Sequence, residues 1–208
     1  MIEITESVLD TLRGEIVNSM SPKRFLHTVA VERMVARLCE LFCPEHTMSM
    51  RAAALLHDVT KEKGTEEQKK LCKKYGLPVT AQDLLAPKTF HARTAAAMIQ
   101  HEMLQFSDSL IVDAVRWHTT GRKGMTLTEK LLYLADYIDD SRSFENCVIL
   151  RRYFWGANPQ SMDADARLAL LRDTLILSYD MTVRDLLAEG TPIAEDTVEA
   201  RNELLTQR

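Results

Sequence analysis

The sequence predicts an all-α fold, a helical bundle of about eight to ten helices. Seven glycines and six prolines in 208 residues leave too few turn-formers for a sandwich or barrel. Apolar residues recur at helical spacing in run after run. The boundaries of those runs carry helix caps and stops.

The elements follow in order. Ile4, Val8, Leu12 and Ile16 give residues 2–18 an amphipathic helical face. Ser21-Pro22 reads as an N-cap with a first-turn proline, opening a long helix that runs to Phe42 and stops at Pro44. Thr47 to Leu56 is rich in Ala, Met and Leu, a buried helix ending at His57-Asp58. A charged helix runs from Gly64-Thr65 to Tyr75 and closes on Gly76, and a short helical piece lies between Pro78 and Pro87. Further helices are expected over Thr89–Leu104, Ser107–Trp117, Thr128–Asp140, Asp163–Glu189 and 196–205, with a two-glycine loop at 119–124. Residues 143–162 show no defined element beyond the turn at Asn158-Pro159. The expected organisation is one domain over 1–208: a core of about 20–142, with C-terminal helices from 163–205 packed on it.

Composition narrows the function classes. The net charge is −4, and the lysines at 69, 70, 73 and 74 alternate with Glu66-Glu67 as a solvated helix face. A nucleic-acid partner is therefore not expected. The four cysteines (Cys39, Cys43, Cys72 and Cys147) form no Cys-x-x-Cys pair and read as reduced thiols. Cys39 and Cys43 share a helix face, which leaves a zinc site as the lesser reading. The first twenty residues hold acids and no apolar run of signal-peptide length, and no stretch approaches a membrane span. A cytoplasmic protein is expected.

The chemistry lies in histidines and one aspartate. His27, His57, His91 and His118 stand in contexts that a plain core helix does not require, and Asp136 interrupts the apolar run Leu131–Ile138. A buried carboxylate there is costly unless it is paired or binds a metal. Singly, each residue has an ordinary explanation as a cap or a hydrogen-bonded core group. Together, imidazoles and carboxylates drawn from separate helices suit Fe, Mn, Zn or Co.

This set, in this order, resembles the HD-domain metal-dependent phosphohydrolases. Arg24–Thr28, Leu55–Lys61, His91, Trp117–Met125, Ala135–Ile138 and the tail Leu186–Asn202 resemble its YqeK-type branch, over about residues 20–205. That branch comprises symmetrical diadenosine-tetraphosphate hydrolases, which bind iron and release two ADP. The resemblance implies an HD-type domain with His27, His57, Asp58 and Asp136 as primary ligands for one or two metal ions. Iron comes first, with Mn, Co or Zn as alternatives. His91 and His118 would be ligands of a second metal or phosphate contacts. The catalytic set would be Asp58, Lys61, His91 and His118, with Asp58 placed to orient or deprotonate the attacking water.

A dinucleotide substrate would lie against Arg24, Lys61, His91, His118, Thr119, Thr120, Gly121, Asp136, Tyr137 and Arg142. Lys61 would reach it either at i+4 from His57 on a continuing helix or through a turn after Asp58. The tail departs from the branch at Ala194-Glu195, where a histidine is frequent, and 143–180, including Arg151–Trp155, matches it poorly. Other readings are an HD hydrolase of a dNTP or a guanosine polyphosphate, and a non-catalytic nucleotide-sensing module. The oligomeric state, a homodimer included, is left open.

Overall fold

The computed structural model describes residues 3–207, and every regular element among them is helical. Helix α1 (Glu6–Ile16) buries Leu9, Leu12 and Ile16, while Ile4 and Val8 are only partly covered. Helix α2 (Pro22–Phe42) begins as expected: Ser21 Oγ accepts from the Arg24 N–H at 3.3 Å, and Pro22 occupies the first turn, where its missing N–H costs no bond. Helix α3 (Thr47–Leu56) is buried from Ala52 through Leu56, as befits a helix in the middle of the molecule. Its alanines let α2 approach closely, and α1, α7 and α8 also pack on it.

Helix α4 (Thr65–Lys74) ends before Gly76, whose φ of +68° is the left-handed cap that favours glycine. Helix α5 (Ala81–Leu85) is the short piece between the two prolines. Helices α6 (Phe90–Glu102), α7 (Ser109–Trp117) and α8 (Leu127–Ile138) follow. The cap of α7 is Asp108, whose carboxylate accepts from the Leu110 N–H at 2.8 Å, one residue beyond the expected Ser107 start. Helices α9 (Glu145–Gly156), α10 (Ala164–Ala188) and α11 (Glu195–Thr206) complete the chain.

Eleven α-helices among the described residues exceed the expected eight to ten, because 143–162 contains α9. Its buried face is thin, only Cys147, Leu150 and Phe154 among exposed and half-exposed neighbours, so its period was faint in the sequence. One apolar core joins Leu9 of α1 to Leu204 of α11. All four cysteines are buried free thiols. No helix among the described residues is long and apolar enough to cross a membrane.

Three helices end and two begin at one point beside α3. His57 caps the C-terminus of α3, His118 caps that of α7, and Asp136 lies in the last turn of α8. His27 and His91 come from the early turns of α2 and α6.

Candidate metal centre

Every one of the four histidines turns Nε2 inward because its Nδ1 is engaged elsewhere. His57 Nδ1 lies 2.6 Å from Ala54 O, His91 Nδ1 2.8 Å from Lys88 O and His118 Nδ1 2.7 Å from Val115 O. A carbonyl can only accept, so the ring must hold its proton on Nδ1, and a neutral ring then presents a bare lone pair at Nε2. His27 uses a carboxylate for the same purpose: its Nδ1 lies 3.3 Å from Asp139 Oδ2 and 3.4 Å from Ser141 Oγ. An outer group that fixes the tautomer and ring orientation is the usual company of a metal-bound imidazole.

The inward atoms crowd one another. His27 Nε2 is 2.9 Å from Asp136 Oδ1, and His57 Nε2 is 3.3 Å from Asp58 Oδ2 and 3.8 Å from Asp136 Oδ1. Asp58 Oδ1 lies 3.3 Å from His91 Nε2 and 3.7 Å from His118 Nε2. The His91 and His118 Nε2 atoms are 3.1 Å apart. Two overlapping donor sets result, His27–His57–Asp136 and His57–Asp58–His118, each with its donors within 4.8 Å of one another.

These donors fit a metal. His27 Nε2, His57 Nε2 and Asp58 Oδ1 are buried without a hydrogen-bond partner, a condition that costs on the order of 1–3 kcal/mol per group unless something satisfies it. The two facing Nε2 lone pairs of His91 and His118, 3.1 Å apart, have Lys61 Nζ and the Thr119 hydroxyl as donors, so the unpartnered atoms that point to a metal are those of His27, His57 and Asp58. Nitrogen and carboxylate oxygen together suit iron, manganese, cobalt or zinc.

Electrostatics agrees. Burial would raise the carboxyl of Asp58, but His57, His118 and His91 hold it well below the usual range. Burial acts likewise on Asp136, and Arg142, His27 and His57 outweigh it. Both carboxylates are therefore ionised. Burial would lower His27, yet Asp136 and Asp139 push it up to about 9, so the pocket demands positive charge. Burial pulls His91 down to about 4 and lowers His118, leaving both neutral and able to act as ligands.

Three side-chain cations border the centre. Arg24 Nη1 reaches Asp58 Oδ2 at 2.6 Å, and Arg142 Nη2 reaches Asp136 Oδ1 at 2.5 Å. Lys61 Nζ lies 3.1 Å from His91 Nε2, and burial lowers its pKa. Lys61 arrives through a turn, its N–H donating to Asp58 O at 2.9 Å; α3 has already ended at Leu56.

The remaining expected contacts divide. Thr119 Oγ1 stands 3.1 Å from both His91 Nε2 and His118 Nε2. Thr120 instead donates to Gly121 O at 2.9 Å and faces a separate cavity with Arg116 and Asp196. Gly121 backs onto Tyr179. The Tyr137 hydroxyl pairs with Thr182 Oγ1 of α10 at 2.8 Å, away from the donors. Thr120, Gly121 and Tyr137, which the sequence suggested as contacts to the substrate, are thus each engaged with neighbours in the chain itself.

Sequence reasoning missed Asp139, fully buried behind His27. Its one sequence signal is its spacing of three from Asp136. It also missed Arg151, which donates to Ile138 O at 2.9 Å, to Arg142 O at 2.8 Å and to Asp139 O. Arg151 so ties α9 to the loop that carries Asp139 and Arg142.

The HD domain family model matches residues 24–140, the segment that supplies His27 through Asp136. The symmetrical bis(5'-nucleosyl)-tetraphosphatase of Bacillus subtilis is 31% identical over 92% of this chain and 94% of its own length. The enzyme of that name from Halalkalibacterium halodurans is 28% identical over 94% of this chain and 98% of its own. A crystal structure from Clostridium acetobutylicum, described as a predicted HD superfamily hydrolase involved in NAD metabolism, superposes with a TM-score of 0.82. The two chains are 27% identical, with 96% of this one and 97% of that one covered. With the histidine–aspartate centre inside the matched segment, and relatives spanning nearly the whole length, the chain belongs to the HD-domain hydrolases, in their YqeK-type symmetrical bis(5'-nucleosyl)-tetraphosphatase branch.

Proposed function

We propose that the chain hydrolyses diadenosine tetraphosphate and related dinucleoside polyphosphates symmetrically, giving two ADP from the adenine compound. The observation that carries this reading is the cluster of inward Nε2 and carboxylate donors bordered by Arg24, Lys61 and Arg142. The names of the full-length relatives supply the substrate class. His27, His57, Asp58 and Asp136 would hold the metal, iron first, with Mn, Co or Zn as alternatives. His91 and His118, whose Nε2 atoms offer lone pairs and no proton, serve better as ligands of a second ion than as phosphate donors.

A metal bound there supplies Lewis acidity, which makes water nucleophilic near neutral pH and offsets phosphoryl charge. The chain's own groups do the rest. Arg24 and Arg142 each keep guanidinium N–H groups beyond those given to Asp58 and Asp136, and these can hold phosphate oxygens. The Lys61 ammonium, pinned beside His91, adds charge stabilisation in a site largely shielded from water. Asp58, bound to or beside the metal and ionised, would orient the attacking water, its depressed carboxyl making orientation the stronger part of the role.

Protein purified without added metal or chelator should contain a transition metal by elemental analysis. With Fe, Mn or Co it should convert diadenosine tetraphosphate to ADP as the sole nucleotide product. Release of AMP plus ATP, or cleavage of a dNTP or guanosine polyphosphate with the dinucleotide left intact, would overturn the assignment. Binding of nucleotide with no turnover of any would indicate a sensing module.

A further inference from the structure

A cavity of about 470 Å³ opens from the metal centre to the surface between α2 and the start of α9. His27 stands at its inner end, and Lys23, Arg24 and Arg142 line it. Its apolar wall is Leu26 and Phe144, which are 68% and 71% exposed. One exposed apolar side chain needs no explanation. Two on one cavity that also holds three cations and a metal-site histidine is a different arrangement, an apolar patch beside an anion cradle. Phe144 also lines a second cavity, of about 500 Å³, on the α10 side, so its ring stands as a partition with little core packing. Arg24 Nε is buried without a partner, an unfilled donor on the same wall. The acid in this cavity, Glu62, is occupied by the Ser21 N–H at 2.7 Å and the Ser21 hydroxyl at 2.5 Å.

We propose that Phe144 is the stacking platform for the nucleobase of the substrate nucleoside whose phosphates lie between Arg24 and Arg142. This rests on the reading that nucleotide phosphates enter at the His27–Asp58–Asp136 centre. Leu26, one residue before the ligand His27, flanks the base from α2. A flat π-face attracts any base, because every base has one. The cavity therefore recognises a nucleotide by its ring and its phosphates, with weak preference among bases. Phe144 sits in the segment before α9, where its side chain makes no helix-capping bond. Its replacement should leave the fold intact.

The test uses the full-length protein and 2-aminopurine riboside diphosphate, whose fluorescence is quenched by stacking. Wild type should quench the probe. Phe144→Ala and Phe144→Leu should abolish the quench and weaken binding about tenfold, the loss expected for one base–aromatic stack. Phe144→Tyr should restore both. Inorganic pyrophosphate should bind all four proteins equally. Equal probe affinity and quench in wild type and Phe144→Ala would overturn the proposal, and so would loss of pyrophosphate binding along with the probe. Phe144-dependent quenching in a protein that leaves diadenosine tetraphosphate intact would sink the substrate assignment and keep the stack. Symmetric cleavage with an unchanged KM in Phe144→Ala would do the reverse.

Discussion

Asp139 does for His27 what backbone carbonyls do for His57, His91 and His118: it engages Nδ1 so that Nε2 faces the donors. Asp139→Asn should lower metal affinity about 10- to 100-fold by chelator competition, the range for outer carboxylates on metal histidines. His57→Ala, Asp58→Ala and Asp136→Ala should each remove bound metal and turnover together; retained turnover would refute the assigned centre.

Gly121 shows a different constraint. Its φ is +65°, and a Cβ there would meet the Tyr179 hydroxyl at 1.9 Å. Gly121→Ala should cost about 1–3 kcal/mol in urea unfolding from backbone strain, with the clash against Tyr179 added to it. Adding Tyr179→Phe should recover part of the loss, because the hydroxyl is the nearest obstacle.

At the scale of elements, α9 serves the site from behind. Arg151 donates to three carbonyls of the 138–142 turn, which presents Asp139 to His27 and Arg142 to Asp136. Arg151→Leu removes all three bonds, leaves Asp139 O with only the Arg142 N–H at 3.3 Å, and loosens the turn. Turnover should fall about tenfold with helix content unchanged, in line with other outer-shell losses; full activity would show that α8 alone fixes the turn.

Helix α5 offers a pH readout far from the metal. Asp83 pairs with Arg93 of α6 at 2.6 Å and accepts from the Thr80 N–H at 2.7 Å. Burial acts to raise the Asp83 carboxyl, but Arg93 and Thr80 bring it below its ordinary value. A depressed carboxyl stabilises the fold above its unfolded value of about 3.9 and loses that contribution as pH falls through the folded value. The stability gap between wild type and Asp83→Asn should therefore be constant above about pH 5 and shrink below about pH 4. A gap that widens on acidification would contradict the sign.

The whole molecule is coupled to its metal. The donors come from α2, α3, α6, α7 and α8, so an ion held among them favours the folded chain over the unfolded one. At a hundredfold excess over Kd this is worth about 2.7 kcal/mol. For a chain of this size that corresponds to a rise in Tm of roughly 5–10 °C, lost on adding EDTA. A Tm indifferent to chelator would mean that the donors are satisfied without an ion.

Much of this arrangement was legible in the chain itself. Helices at Pro22–Phe42 and Thr47–Leu56 were readable because Ser21, Pro22 and Pro44 are local signals and the buried faces are broad. His57, Asp58 and Asp136 stood out because ionisable groups inside apolar runs need a reason to be there. Helix α9 and Arg151 were not legible, since a three-residue buried face gives little period and an arginine does not reveal which carbonyls it will meet. Phe144 carries no sequence signal at all: it matters through the cavity it borders.

The sequence by itself thus determined that the protein is helical and which residue types carry its chemistry, because caps, periodicity and misplaced charges act within a few residues. Only the tertiary structure decided the rest. It brought the ends of α3, α7 and α8 to one point, turned four Nε2 atoms inward, set Asp139 behind His27, and turned Tyr137 and Thr120 away. Those outcomes depend on how helices far apart in the chain pack, and no local pattern encodes that.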